Sequence, residues 1–275
     1  MLRIKFLLAL AVFCLTSTLS FSQDGFVSNW LQTVDKAKEE QPHWITPVAT
    51  TTPRLEQEYR YDQFWQTNSK HVTTDNYDGG KGVELIPTEK TEIIFNLPAY
   101  IDHNNSKVKN GFGDEAFLLK YRFLSANEKK GNYILTGFLG ATIPTGSHTN
   151  GAKDATITPT IAYGKGFGNF DGQGTFGITW PTGDTKLIGR TYSWNNTLQY
   201  RLLKKIWPEV EFNTTRYQSG PNDGKTQNFI TPGIIFGRMN LVGRVGLSVG
   251  GGFQIATSQF HTTNHNGILT VRFPF

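Results

Sequence analysis

Apolar and polar residues alternate with a period of two along most of this chain, from Pro53 to the last residue, Phe275. Five stretches carry the pattern most clearly. In 54–65, Leu55, Tyr59, Tyr61 and Trp65 oppose Arg54, Glu56, Glu58, Arg60 and Asp62. In 114–123, Phe117, Leu119, Tyr121 and Phe123 oppose Asp114, Lys120 and Arg122. In 191–202, Tyr192, Trp194, Leu198, Tyr200 and Leu202 oppose Ser193, Asn195, Thr197, Gln199 and Arg201. In 241–255, Leu241, Val245, Leu247, Val249, Phe253 and Ile255 oppose Arg244, Ser248 and Gln254. The last stretch sets Leu269, Val271, Phe273 and Phe275 against Thr270 and Arg272. Successive side chains of a strand point to opposite faces, so each stretch predicts a strand with one apolar, aromatic-ended face and one polar face. Weaker alternation at 82–87, 91–101, 132–144, 155–166, 171–181, 207–217 and 227–238 brings the expected count to about twelve.

The links between these strands alternate in length. Short ones fall at 88–90, 126–131, 168–170, 203–206 and 239–240; long polar ones fall at 66–81, 102–113, 145–154, 182–190, 218–226 and 257–264. Short turns at one end and long loops at the other are the arrangement of an outer-membrane barrel. A soluble β-sandwich also alternates, but its strands are usually about 5–6 residues long. Strands that cross a bilayer need about 9–11. The expected fold is therefore all-β, a transmembrane antiparallel up-and-down barrel. Before Pro42, the period is 3.6: Phe26, Trp30, Leu31, Val34 and Ala37 share one face of an amphipathic helix over 26–41. That face is expected on the membrane surface or in the periplasm. Entry into the barrel mouth as a plug and docking to a periplasmic partner are the alternatives.

The first residues change the compartment. Arg3 and Lys5 precede an apolar run, 6–15, and a small polar run, 16–22, with Ser20 and Ser22 placed for cleavage before Gln23. This is the order of a secretory signal peptide. Ten apolar residues are too few for a membrane helix. Cys14 is the sole cysteine, and the bulky Phe13 before it argues against a lipid-attachment site. Division of the chain follows: 1–22 signal peptide, 23–52 N-terminal periplasmic helix and linker, 53–275 barrel. Cleavage leaves 25 basic and 22 acidic residues. No basic stripe alternates with stacking aromatics, so nucleic acid is not an expected partner. The expected partners are outer-membrane lipids and lipopolysaccharide, the barrel-assembly machinery, which reads the terminal Phe275, and a small-molecule solute.

Leu97-Pro98, then Gly111-Phe112-Gly113-Asp114 leading into Lys120-Tyr121-Arg122, then Ile143-Pro144-Thr145-Gly146 resemble the MetA-pathway of phenol degradation family. The resemblance covers roughly residues 80 to 275. It implies an outer-membrane barrel that acts as a transporter, with aromatic or hydrophobic cargo suggested by the family name, and it carries over no catalytic residue. A short echo accompanies it: Thr142-Ile143-Pro144-Thr145-Gly146 recurs as Thr179-Trp180-Pro181-Thr182-Gly183, read as strand punctuation.

The polar face supplies the candidate site. Glu56, Glu58, Arg60, Glu92, Lys120, Arg122, Arg201, Glu209, Glu211, Arg244 and Arg272 are expected to line the lumen in the periplasmic half of their strands. They form either a charged constriction that selects solutes or a salt-bridged filling that closes a non-conducting barrel. Small residues, Thr156, Thr158, Thr160, Ala162, Gly164, Gly233, Gly237, Gly246, Gly250 and Gly252, are expected to leave open volume along one wall. Ser147-His148 with Asn150, and His261 with Asn264 and His265, are the nearest approach to catalytic or metal-binding groups. Both sets read as solvated loops. No enzyme activity, cofactor or metal is expected.

Overall fold

Fifteen strand segments and one helix make up residues 25–275, the part of the chain that the computed structural model describes. Residues 1–24, which include the expected signal peptide, lie outside it. The helix is α1 (Phe26–Glu39). The strands are β1 (Glu58–Asn68), β2 (Thr73–Tyr77), β3 (Gly82–Thr88), β4 (Thr91–Asn96), β5 (Tyr100–Asp102), β6 (Gly111–Phe112), β7 (Glu115–Ala126) and β8 (Tyr133–Ile143). They continue as β9 (Thr156–Phe167), β10 (Phe170–Pro181), β11 (Thr191–Tyr200), β12 (Ile206–Tyr217), β13 (Thr226–Val242), β14 (Val245–Ala256) and β15 (Thr263–Pro274).

From β7 to β15 each strand pairs antiparallel with the next. Before them β1 pairs with both β2 and β3, β2 with β5, β3 with β4, β4 with β7 and β5 with β6. β15 returns to β1 from Glu58↔Pro274 to Asn68↔Thr263. The sheet therefore closes into a twelve-stranded barrel. Three of its staves are interrupted. β2 and β3 form one, broken at residues 78–81, and β4 and β5 form the next; the short β6 precedes β7 in a third. The segment 66–81, expected as a loop, thus contains the upper part of a strand. Its sequence, Thr73-Thr74-Asp75-Asn76-Tyr77, has no apolar alternation to reveal it. The break is held by Gly82, whose φ of +70° is open to glycine at little cost.

The outer surface is an apolar belt. Leu119, Tyr121, Leu139, Ile161, Phe176, Trp194, Leu198, Phe212, Ile234 and Phe253 all stand exposed upon it. Aromatics pair across strands there, Phe95 with Phe117 at 5.9 Å and Phe176 with Tyr192 at 6.3 Å between ring centres. Amides also stand in the outward register, among them Gln63 of β1, opposite Leu269, and Asn196 of β11. Asn196 Oδ1 accepts from the Tyr163 hydroxyl at 2.9 Å, and that hydroxyl accepts from Trp194 Nε1 at 2.9 Å. A polar group on an apolar face is costly without such partners.

The repeated Pro-Thr-Gly stop has a structural cause. Asp114 accepts from the backbone N–H of Gly146 (2.8 Å) and of Ala152 (2.7 Å), tying the loop after β8 to the start of β7. A Cβ on Gly146 would lie 2.9 Å from that carboxylate and 2.5 Å from Gly151 Cα. In the second copy Asp154 accepts from Asp184 N–H at 3.1 Å. Asp114→Ala should leave the barrel intact but free the loop 145–153. Limited trypsin digestion should then cut after the exposed Lys153 several times faster than in the wild type, with the barrel core resistant in both.

Candidate functional site: a lumen filled by the N-terminal segment

Between α1 and β1 the chain runs extended over residues 41–57. Its sequence leaves little choice. Pro42, Pro47 and Pro53 lack N–H groups and hold the residues before them extended, and Ile45, Thr46, Val48 and Thr50 are β-branched. This segment lies inside the barrel, in the half nearest the short turns, and it is almost wholly buried. The linker expected on the periplasmic side is thus a luminal plug.

An extended chain needs partners for its N–H and C=O groups. No strand lies beside this one, so wall side chains take that part, sorted by sign. Carboxylates of β12 accept the N–H groups: Val48 N donates to Glu209 (2.8 Å), and Ala49 N and Thr50 N donate to the two oxygens of Glu211 (2.7 and 2.6 Å). Arginines of β1 and β15 serve the carbonyls. Arg60 donates to Val48 O (2.6 Å), and Arg272 donates to Pro47 O (2.7 Å) and to Thr46 O. Further along, Thr136 donates to Pro53 O (2.6 Å), Lys120 to Arg54 O (3.1 Å), and Glu56 N–H to Glu92 (2.6 Å). Gln41 and Leu55 exchange two hydrogen bonds, at 2.8 and 2.9 Å, which fold the segment back upon itself.

Ion pairs brace the same layer: Arg54–Glu56 at 2.8 Å, Arg60–Asp62 at 2.8 Å and Lys120–Glu92 at 2.9 Å, all buried. Apolar anchors complete it. Trp44, Ile45 and Val48 pack with Ile134, Trp207, Ile235 and Ile268 of the wall, with Phe64 against the cluster. The small wall is their seat. A Cβ on Gly164 would lie 2.5 Å from Trp44 Cζ3, one on Gly166 2.7 Å from Trp44 Nε1, and one on Gly252 3.4 Å from Val48 Cγ1. Of the ten small residues expected to leave open volume, Gly164 and Gly252 receive the plug.

The helix caps the mouth. Val34, Ala37 and Trp30 pack on Leu55 and Ile86, and Trp30 Nε1 donates to Ile86 O at 2.7 Å. Leu55, expected on the outer face, is consequently buried at 0% exposure. Arg122 reaches the helix C-terminus, donating to Ala37 O (2.6 Å), where a cation also complements the helix dipole. Trp30, Val34 and Ala37 of the apolar face are thus spent on the plug and on β3, while Phe26 at its start stands exposed.

Of the sequence candidates, Glu58, Arg60, Glu92, Lys120, Arg122, Glu209, Glu211 and Arg272 are buried in the lumen. Glu56 is there too, together with Arg54, but both belong to the plug: β1 begins only at Glu58. Arg201 follows the inward phase of Thr197 and Gln199 and sits at the rim, 5.8 Å over the ring of the luminal Trp207 and 3.4 Å from Asn169 Oδ1. Arg244 is corrected: it lies in the turn after β13, where the alternation no longer fixes its direction, and holds Asp35 of α1 at 2.5 and 2.9 Å. Missed were Glu84 and Asp171, buried luminal carboxylates on β3 and β10. Their alternation was visible as Glu84/Ile86 and Asp171/Gln173/Thr175, but the inward Ile86 hides the first pattern. Phe275 donates its N–H to Gln57 O at 3.0 Å, beside the point where the plug leaves the lumen.

The loop histidines are engaged locally. His261 Nε2 lies 2.6 Å from Asn264 Oδ1, and Ser147 Oγ accepts from Phe112 N–H at 2.8 Å. Among the described residues no group of three His, Cys, Asp or Glu side chains could hold a metal ion.

The barrel matches solved structures of the same architecture. One is an outer membrane channel from Pseudomonas putida F1, 13% identical, with 78% of this chain and 92% of that chain covered and a TM-score of 0.53. Another is the NanC porin, 7% identical, covering 78% and 98% with a TM-score of 0.54. Searches of protein-family models and of curated proteins gave no match. At such identities the likeness is one of fold.

Two predictions follow from this geometry. Glu209→Ala with Glu211→Ala removes the acceptors of three N–H groups. Hydrogen bonds to charged groups are worth about 1.5–3 kcal/mol. Exchange of the Val48, Ala49 and Thr50 amides with deuterium should therefore accelerate by roughly 10–100-fold, while the β13–β14 amides keep their protection. The helix latch is pH-dependent. The Arg244 hydrogen bond holds the Asp35 carboxyl below its ordinary value, against the opposing pull of burial. At the turn after β7, burial raises Glu128, but hydrogen bonds from the His43 side chain and backbone outweigh it and bring it below the ordinary range. A depressed pKa stabilises above the unfolded value and is lost as pH falls through the folded one. Docking of α1 should thus hold at neutral pH and loosen below about pH 4. Trp30 fluorescence reports it, and Asp35→Asn should remove part of the acid dependence.

Proposed function

We propose that the protein is an outer-membrane channel for small solutes that rests shut, with its own N-terminal segment as the gate. The observation that carries the reading is the plug at 41–57, an independent strand of chain held by side chains instead of by a ladder. It can leave without breaking any pairing of the barrel. The apolar outer belt supports the membrane setting, since only a closed barrel satisfies the backbone of strands within a bilayer. The short turns then face the periplasm and the long loops the exterior. In this reading the mature chain starts near Gln23 after signal cleavage, and lipids and lipopolysaccharide surround the belt. The assembly machinery recognises Phe275 at the end of the last strand. The resemblance to the phenol-degradation barrels in Gly111–Asp114 and Ile143–Gly146 belongs to the same proposal.

The test uses the plug itself. Val48→Cys with Gly252→Cys places a disulfide between plug and wall, where the wild-type side chain and the wall Cβ position are 3.4 Å apart. In planar bilayers the oxidised variant should stay closed, the reduced one should open intermittently, and deletion of residues 25–52 should give a steady current. A silent deletion variant that still shows heat-modifiable mobility would establish the other reading, a non-conducting barrel with a salt-bridged lumen. Phe275→Ala should lower the amount of protein in the outer-membrane fraction several-fold, as read by immunoblot.

A further inference from the structure

The lumen is divided into two tiers, and only the lower one is charged. Above Asp62, the wall residues that face inward change character. β1 offers Gln66, β11 Asn195, β12 Asn213, β14 Gln254 and β15 Asn266, with Thr, Ser, Gly and a few apolar residues such as Phe64, Leu118 and Phe138 in the same inward register. In the inward register of β7 to β15, from this level up to the loops, no Asp, Glu, Lys or Arg occurs. The amides form a connected row. Asn195 Nδ2 donates to Thr175 Oγ1 (3.0 Å), Asn213 Nδ2 to Asn195 Oδ1 (3.1 Å), and Gln254 Nε2 to Asn213 Oδ1 (3.4 Å). Asn266, which stands opposite Gln66 and Gln254 on the same face, adds a buried Oδ1 without a hydrogen-bond partner. Beside Asn213, the register of β12 and β13 places Phe229 on the same inward face.

We propose that this outer vestibule binds an uncharged, hydroxyl-rich solute, a short neutral oligosaccharide. Amides both donate and accept, which suits hydroxyl groups that do the same. An anion or cation entering here meets no opposite charge and loses hydration without compensation. An aromatic side chain next to the amides offers a flat apolar surface to the C–H face of a sugar ring. A purely aromatic solute, in contrast, would cover Asn195, Asn213 and Gln254 without partnering their amides, and such a mismatch discriminates strongly. The vestibule lies outside the plug, so binding there does not require the gate to open. This deepens the channel reading by naming its solute class, and binding can be measured without any current.

The experiment is titration calorimetry on the full-length protein in a detergent without a sugar headgroup. Maltotriose, trigalacturonate and vanillyl alcohol serve as neutral, anionic and aromatic probes. Maltotriose should bind, and the other two at least tenfold more weakly. Asn213→Leu should weaken maltotriose tenfold or more, while Asn213→Gln retains most of the affinity; Gln254→Leu at the edge of the row serves if the first variant does not assemble. Heat-modifiable mobility confirms that each variant is folded. Equal or tighter binding of trigalacturonate or vanillyl alcohol overturns the proposal. So does maltotriose binding that is absent at millimolar concentration or indifferent to these variants. Maltotriose binding in a protein whose plug-deleted form never conducts would sink the channel reading and leave this one standing.

Discussion

An extended backbone inside a closed barrel must find hydrogen-bond partners that no strand supplies. That constraint organises the lower lumen. Every residue from 43 to 56 other than the prolines brings an N–H and a C=O into a space from which water is largely excluded. The wall answers mainly with charged side chains, which are long enough to reach the centre and strong enough to offset desolvation. Glu209 and Glu211 take N–H groups from one side; Arg60 and Arg272 give to carbonyls from the other. The mixture of signs, which resembles a filter when read along the strands, follows from the two-sided polarity of a peptide chain.

The apolar anchors play a different part. Burying Trp44, Ile45 and Val48 stabilises the plug by roughly 1.5–3 kcal/mol each. Ordering the backbone costs about 1–2 kcal/mol for every residue fixed. Three anchors cannot carry a segment of this length, so the charged hydrogen bonds and the helix at its upstream end must share the load. What the anchors do supply is register. Trp44 fits only where Gly164 and Gly166 leave its indole room, and Val48 only against Gly252. The helix then fixes the other end through Trp30, Arg122 and the Asp35–Arg244 pair.

The barrel itself was legible because period-two alternation is imposed by geometry at every strand, and the position of most luminal charges followed from it. Three features were not legible, each for a physical reason. The segment 54–57 alternates as a strand does, since it is extended, but its neighbours are side chains and not a strand. Arg244 keeps the phase of its strand in sequence and loses it in space where the chain turns. The small wall reads as empty volume, because a row of glycines shows that room exists and says nothing of what occupies it. The plug had one sequence signal, the three prolines at 42, 47 and 53 set among β-branched residues. These specify extended chain that cannot join a sheet.

A plug held by charges differs from one held by a hydrophobic core in what happens when it leaves. Withdrawal exposes apolar anchors, at a cost, but it also admits water to the lumen. Glu209, Glu211, Arg60 and Arg272 then exchange backbone partners for hydration, and pairs such as Arg60–Asp62 and Lys120–Glu92 persist on the wall. Net hydrogen-bond contributions are modest for this reason: the groups are satisfied in both states. The open wall is consequently not a frustrated one, whereas an apolar wall emptied of its plug would collapse or attract lipid. Charged lining would therefore let the proposed gate open without leaving a frustrated wall. The amide row meets the plug at Asn213, whose Nδ2 donates to Thr50 Oγ1 at 3.3 Å. In the proposed channel, recognition at the outer end and closure at the inner end are thus separable, meeting at Asn213.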